Sequence, residues 1–126
     1  MRPRYGYWLA GRACDEGAWL EVRDKFTGES LTEVATASPA AIERAIQAAS
    51  QAREPLRRMA ACDRRAVLDH CVDRIRERED EFAEALCAEA GKPIRDSRGE
   101  VVRLLETFQA AAEESVRVGG EVVPLD

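Results

Sequence analysis

Glu89-Ala90-Gly91-Lys92-Pro93 closes one helix and prepares another, and the rest of the chain is read outward from it. Gly91 suits the position just past a helix end, where a left-handed residue without a Cβ costs little. Pro93 lacks the N–H that a continuing helix requires. Lys92 lies where a cation interacts well with the carbonyl end of a helix, so the group reads first as structural. Downstream, Val101, Leu104, Leu105, Phe108, Ala111, Ala112, Ser115 and Val116 recur at three- and four-residue spacing, the stripe of an amphipathic helix. Gly119-Gly120 is expected to stop that helix. Glu121 to Leu125 reads as a terminal strand, with Pro124 favouring its end or an edge.

Upstream the same period returns. Asp80 is expected to start a helix with Phe82, Ala85 and Leu86 inward. An earlier helix begins near Asp63 and carries Leu68, Cys71, Val72 and Ile75 on one face, with Asp69, Asp73, Arg74 and Glu77 outside. Ser38-Pro39 opens the first helix, since Ser caps well and Pro suits the first helical position. Ile42, Ala45, Ile46 and Ala49 form its apolar face. It is expected to fade near Arg53, because Pro55 disfavours a helical Glu54. Before Ser38 the period drops towards two. Tyr7-Trp8-Leu9 reads as a short strand, Ala10-Gly11 as a turn, Trp19 to Asp24 as an alternating strand, Thr27-Gly28-Glu29 as a turn, and Leu31 to Thr36 as a third strand. The expected segment is a short antiparallel β-meander followed by about four amphipathic helices and a terminal strand.

Composition limits the function classes. The chain has 126 residues, a size for one domain or part of one, with 45% hydrophobic and 34% charged residues. Net charge is −5, whereas a domain built to grip nucleic acid is normally basic. All the basic residues except Lys25 and Lys92 are arginines. Many lie between Arg53 and Arg78, interspersed with Glu54, Asp63, Asp69, Asp73 and Glu77, the pattern of a solvated helical face. Apolar runs are too short to span a bilayer. Met1-Arg2-Pro3-Arg4 leads into an apolar piece too short and too rich in glycine for a secretory signal, so a cytoplasmic location is expected, with neither nucleic acid nor membrane as partner.

The residues themselves name no active site. The eight glycines form neither GxGxxG nor a P-loop. Cys14, Cys62, Cys71 and Cys87 have no close pairing, and His70 is the one histidine, so no zinc set is expected. Cys71 and Cys87 read as small helix-face residues, and His70 as a residue of the helix flank. Asp15-Glu16 and Glu113-Glu114 lack the apolar shielding that raises a carboxyl pKa into a catalytic range.

The order of segments nevertheless resembles the N-terminal quarter of an NAD(P)-dependent aldehyde dehydrogenase. The resemblance rests on the aromatic strand Tyr7 to Gly11, the Thr27-Gly28-Glu29 turn, the step Val34 to Pro39 into an alanine-rich helix, the arginine-containing helix with Arg65, Leu68 and Cys71, and Glu89-x-Gly-Lys-Pro. It implies an α/β parent enzyme, with residues 1–37 as strands and turns, 38–120 as the helical part of the cofactor-domain region, and 121–126 as the start of an extended segment. It implies an oxidoreductase that turns an aldehyde into an acid through a cysteine thiolate and a nicotinamide, NAD or NADP, and that assembles as a homo-oligomer. The catalytic cysteine and cofactor site of that family lie in later segments. The 126 residues alone are therefore expected to be inactive, with no catalytic, cofactor or metal residue assigned to them. The resemblance also points to the branch acting on lactaldehyde, semialdehydes or phosphorylated trioses. In it the helix after Gly-Lys-Pro lines the aldehyde channel, which makes Arg103 the candidate substrate-binding residue, its planar fork suited to a carboxylate or phosphate. Standing two residues after Val101, Arg103 is expected roughly opposite the apolar stripe. The alternative reading is a non-catalytic helical interaction module, a truncated paralogue that binds a full-length enzyme.

Overall fold

A computed structural model describes residues 4–125. Met1 to Pro3, read above as no signal, and Asp126, the last residue of the extended segment, lie outside the described residues. Five strands precede four helices: β1 Arg4–Tyr5, β2 Tyr7–Leu9, β3 Arg12–Cys14, β4 Ala18–Arg23, β5 Ser30–Thr36, α1 Pro39–Arg58, α2 Ala61–Arg76, α3 Glu79–Ala90 and α4 Ile94–Ser115.

Antiparallel pairing holds, but the strands do not form one meander. β2 and β3 make a separate hairpin, with Trp8 opposite Ala13. β4 and β5 pair antiparallel, and β1 adds to the far side of β5 in parallel, giving the order β1-β5-β4. A two-residue strand next to a glycine shows no period, so β1 and its parallel partner leave no sequence signal. Gly6 permits the change of sheet: a Cβ there would stand 2.5 Å from the Cys14 carbonyl oxygen. The β4–β5 turn is held by Asp24, whose carboxylate accepts from the amides of Phe26 and Thr27, each at 2.8 Å.

The core lies among α2, α3 and α4. Val72, Ile75, Ala83, Val101 and Leu105 are buried together, with Phe82, Leu86, Leu104 and Phe108 packed around them. The inward residues read for α2, and Val101, Leu105 and Ala112 of α4, are therefore where the helical period puts them. α3 ends at Gly91 in the left-handed conformation, φ 68°. A Cβ on Gly91 would come within 2.9 Å of Lys25 Cβ, and the Lys25 amide donates to the Ala88 carbonyl at 3.4 Å. The β4–β5 turn thus rests on the last turn of α3.

Three expectations need correction. α1 runs through Pro55 to Arg58 rather than fading near Arg53. Pro55 falls in the final turn, where a lost hydrogen bond frees a carbonyl that solvent can reach, and Glu54 pairs with both Arg57 and Arg58 beyond it. The face of α1 turned inward is that of Ala41, buried to 1%, whereas Ile42 and Ile46 are 52% and 58% exposed. Residues 121–125 are outside any strand, and α4 ends at Ser115, ahead of Gly119. A strand exists only by pairing, and no described edge pairs with this stretch.

Candidate functional site

A shallow groove of about 380 Å³ runs between α3 and α4. Its floor is apolar: Phe82 and Leu86 from α3, Val101 and Leu104 from α4. Its polar rim comes from one edge of α4, where Glu100, Arg103 and Thr107 follow one another at helical spacing. Arg103 is exposed and borders the groove beside Leu104. Two residues after Val101, it lies roughly opposite the buried Val101–Leu105 line and meets the groove from its solvent side. Thr107 Oγ1 donates to the Arg103 carbonyl at 2.8 Å, which leaves the guanidinium uninvolved in that bond.

Charge at the rim is ordered. Lys92, in the α3–α4 connection, forms an ion pair and hydrogen bond with Glu100. That bond, then the Lys92 charge, and to a smaller degree the charge of Arg103, hold the Glu100 carboxyl below the usual carboxylate range. Arg103 has no carboxylate within ion-pairing distance among the described residues. Most arginines of α1 to α3 differ. Arg57 and Arg58 share Glu54, Arg65 meets Asp69, Arg74 meets Glu77, and Arg78 meets Glu81 while lying over the Phe82 ring. Those are the solvated helical faces that the sequence indicates.

The arrangement can hold an anion against an apolar surface. The pair Lys92–Glu100 was not legible in the sequence, because Lys92 precedes the helix and eight residues separate the partners. The cysteines are free: Cys62 is exposed, and Cys14, Cys71 and Cys87 are half-buried. His70 is exposed, as a flank residue should be. No group of three metal-binding side chains occurs among the described residues.

Residues 12–126 match the model of the aldehyde dehydrogenase family. The chain belongs to that family. It is 35% identical to the 3-sulfolactaldehyde dehydrogenase of Priestia aryabhattai over 98% of its own length and 25% of the relative's. The aldehyde dehydrogenase of Physcomitrella patens, solved with its reaction product succinate, superposes with a TM-score of 0.97 at 42% identity, over all of this chain and 26% of that one. PnpE, solved with nicotinamide adenine dinucleotide, superposes with a TM-score of 0.89 at 30% identity, over 97% and 26% of the two chains. This aldehyde dehydrogenase chain therefore spans about a quarter of the length of the relatives it matches. Its strands and four helices are those of the family's N-terminal segment. No helix among the described residues is long and apolar enough to cross a membrane.

Proposed function

We propose that this segment supplies one wall of the substrate channel in an NAD(P)-dependent aldehyde dehydrogenase that oxidises a small anionic or hydroxylated aldehyde to its acid. The observation that carries the reading is the unpaired Arg103 on the rim of an apolar groove. Its guanidinium is free to take two oxygens of a carboxylate, sulfonate or phosphate, while Phe82, Leu86 and Leu104 cover the carbon chain. Support comes from the relatives: one is named for a sulfonated hydroxyaldehyde and another was solved with a dicarboxylate product.

The chemistry itself belongs to other parts of the family's fold. The glycines of this chain form no phosphate-cradling loop, so no nucleotide contact is assigned to it. NAD is the favoured cofactor on the strength of the relative solved with it; comparing rates with NAD and NADP separates the two. Domain membership of residues 38–120 in the cofactor-domain region, a cytoplasmic location and a homo-oligomeric state complete the reading, each supported by the family resemblance. The net charge of −5 argues against a nucleic-acid partner.

Arg103→Leu tests the role of the rim. A charged hydrogen bond contributes about 1.5–3 kcal/mol, and the groove is open to solvent. In an enzyme containing this segment, kcat/KM for an anionic aldehyde should fall about tenfold relative to a neutral one of equal length. An unchanged ratio removes Arg103 from substrate binding.

A further inference from the structure

Lys92, Glu100 and Arg103 follow one another along the rim of the groove. Glu100 and Arg103 are three residues apart on α4, the spacing at which a carboxylate and a guanidinium ordinarily meet on a helix. They meet at that spacing and in that order elsewhere in this molecule: Glu54 with Arg57, Asp73 with Arg76, and Glu114 with Arg117. Glu100 and Arg103 are the exception. What distinguishes them is Lys92, which reaches from the α3–α4 connection and takes Glu100 Oε1. Gly91 and Pro93 on either side fix where Lys92 emerges: one is the left-handed end of α3, the other the residue capping α4.

We propose that Lys92 is a positioning residue for anion recognition: by engaging Glu100 it keeps the Arg103 guanidinium open to the groove. Without Lys92, Glu100 turns to Arg103 and occupies the donors that an anionic substrate would use. The role is separate from the favourable charge that Lys92 places near the end of α3. It rests on the reading of Arg103 given above.

The test uses the 126-residue chain labelled with ¹⁵N, followed by NMR at the Arg103 Nε–Hε resonance. Succinate is the anionic probe and succinamide the neutral control. Two measurements are independent. Without ligand, Lys92→Met should shift the Arg103 resonance and slow its proton exchange, as the new pair forms. With succinate, Lys92→Met should weaken the apparent affinity about two- to fivefold, the range open to an exposed pair. The double variant Lys92→Met with Glu100→Gln should regain at least the original affinity, because the competing carboxylate is gone. Glu100→Gln alone keeps a partner for Lys92 and should bind succinate no less tightly than the parent.

An unmoved Arg103 resonance in Lys92→Met overturns the inference. So does a double variant as weak as Lys92→Met, which would mean that Lys92 touches the anion directly. Either result leaves Arg103 as the ligand if Arg103→Leu abolishes succinate binding. Succinate binding that survives Arg103→Leu, or the absence of any succinate-dependent shift at Arg103, overturns the underlying reading as well.

Discussion

Ser97 shows how a residue can matter for what it lacks. It sits in the first turns of α4, fully buried, and its hydroxyl has no hydrogen-bond partner among the described residues. A buried hydroxyl without a partner costs about 1–3 kcal/mol of desolvation. Ser97→Ala, which keeps the small volume, should raise the thermal midpoint, read by circular dichroism; a lower midpoint would mean that the hydroxyl has an unseen partner. The acidic residues make a second prediction. Asp24 is held below its usual range by the backbone amides of Thr27 and Phe26, Glu54 by hydrogen bonds from Arg57 and Arg58, and Glu100 by Lys92. A depressed folded-state pKa contributes stability above the unfolded value and loses it as pH falls through the folded one. The midpoint should therefore be flat from neutral pH down to about 4 and fall below that. A midpoint that rises on acidification contradicts the assignment. At this scale the sequence was partly legible. Gly91 and Ser38 could be read because a left-handed helix end and an N-cap each have a short list of suitable residues. The Ser38 hydroxyl indeed accepts from the Ala41 amide at 3.2 Å. Arg103 could be named only through the family resemblance, and its position on the rim depended on packing that the stripe alone does not fix.

Elements were legible where a period runs for several turns and a breaker ends it. α2 and α4 carry the long periods, and Val72, Ile75, Val101, Leu105 and Ala112 are buried as read; in α3, with its shorter period, the most buried residue is Ala83, which was not among the inward residues Phe82, Ala85 and Leu86. β1 and β3 met neither, being two and three residues long. α1 shows a different limit. Its period identified an apolar face, but burial depends on what lies opposite, and the described chain leaves more than half of Ile42 and Ile46 in solvent. A pair of substitutions measures this. Leu105→Ala, at 8% exposure within the α2–α3–α4 core, should destabilise the chain by about 2–5 kcal/mol. Ile42→Ala should change it by no more than about 0.5 kcal/mol. Equal losses in urea unfolding would mean that α1 packs on the core in solution. The terminal stretch teaches the same lesson: β-branched residues at Val122 and Val123 favour extension, yet a ladder needs a neighbour.

Across the described residues, one side of the helical layer is dressed and the other is not. The three later helices enclose a core, the sheet leans on α3 through the β4–β5 turn, and α1 leaves Ile42, Ile46 and Leu56 in solvent, while Val67 on α2 is likewise exposed. Such faces promote association. In sedimentation experiments the chain should self-associate with rising concentration, and Ile42→Glu with Ile46→Glu should reduce that; a monomer indifferent to concentration and to both substitutions contradicts it. The family was legible because turns, caps and breakers fall in one fixed order along most of the chain, where no single motif is decisive. The identity of the aldehyde was not, because no motif or spacing in these residues names a reacting group. The contact between Lys25 and the end of α3 carries a consequence for the groove. The 24–29 turn is a strut wedged under the helix that forms one bank of the groove. Lengthening or shortening this turn would tilt that bank and alter the width of the groove, so its aperture can be reset from a surface turn while every side chain that lines it stays the same.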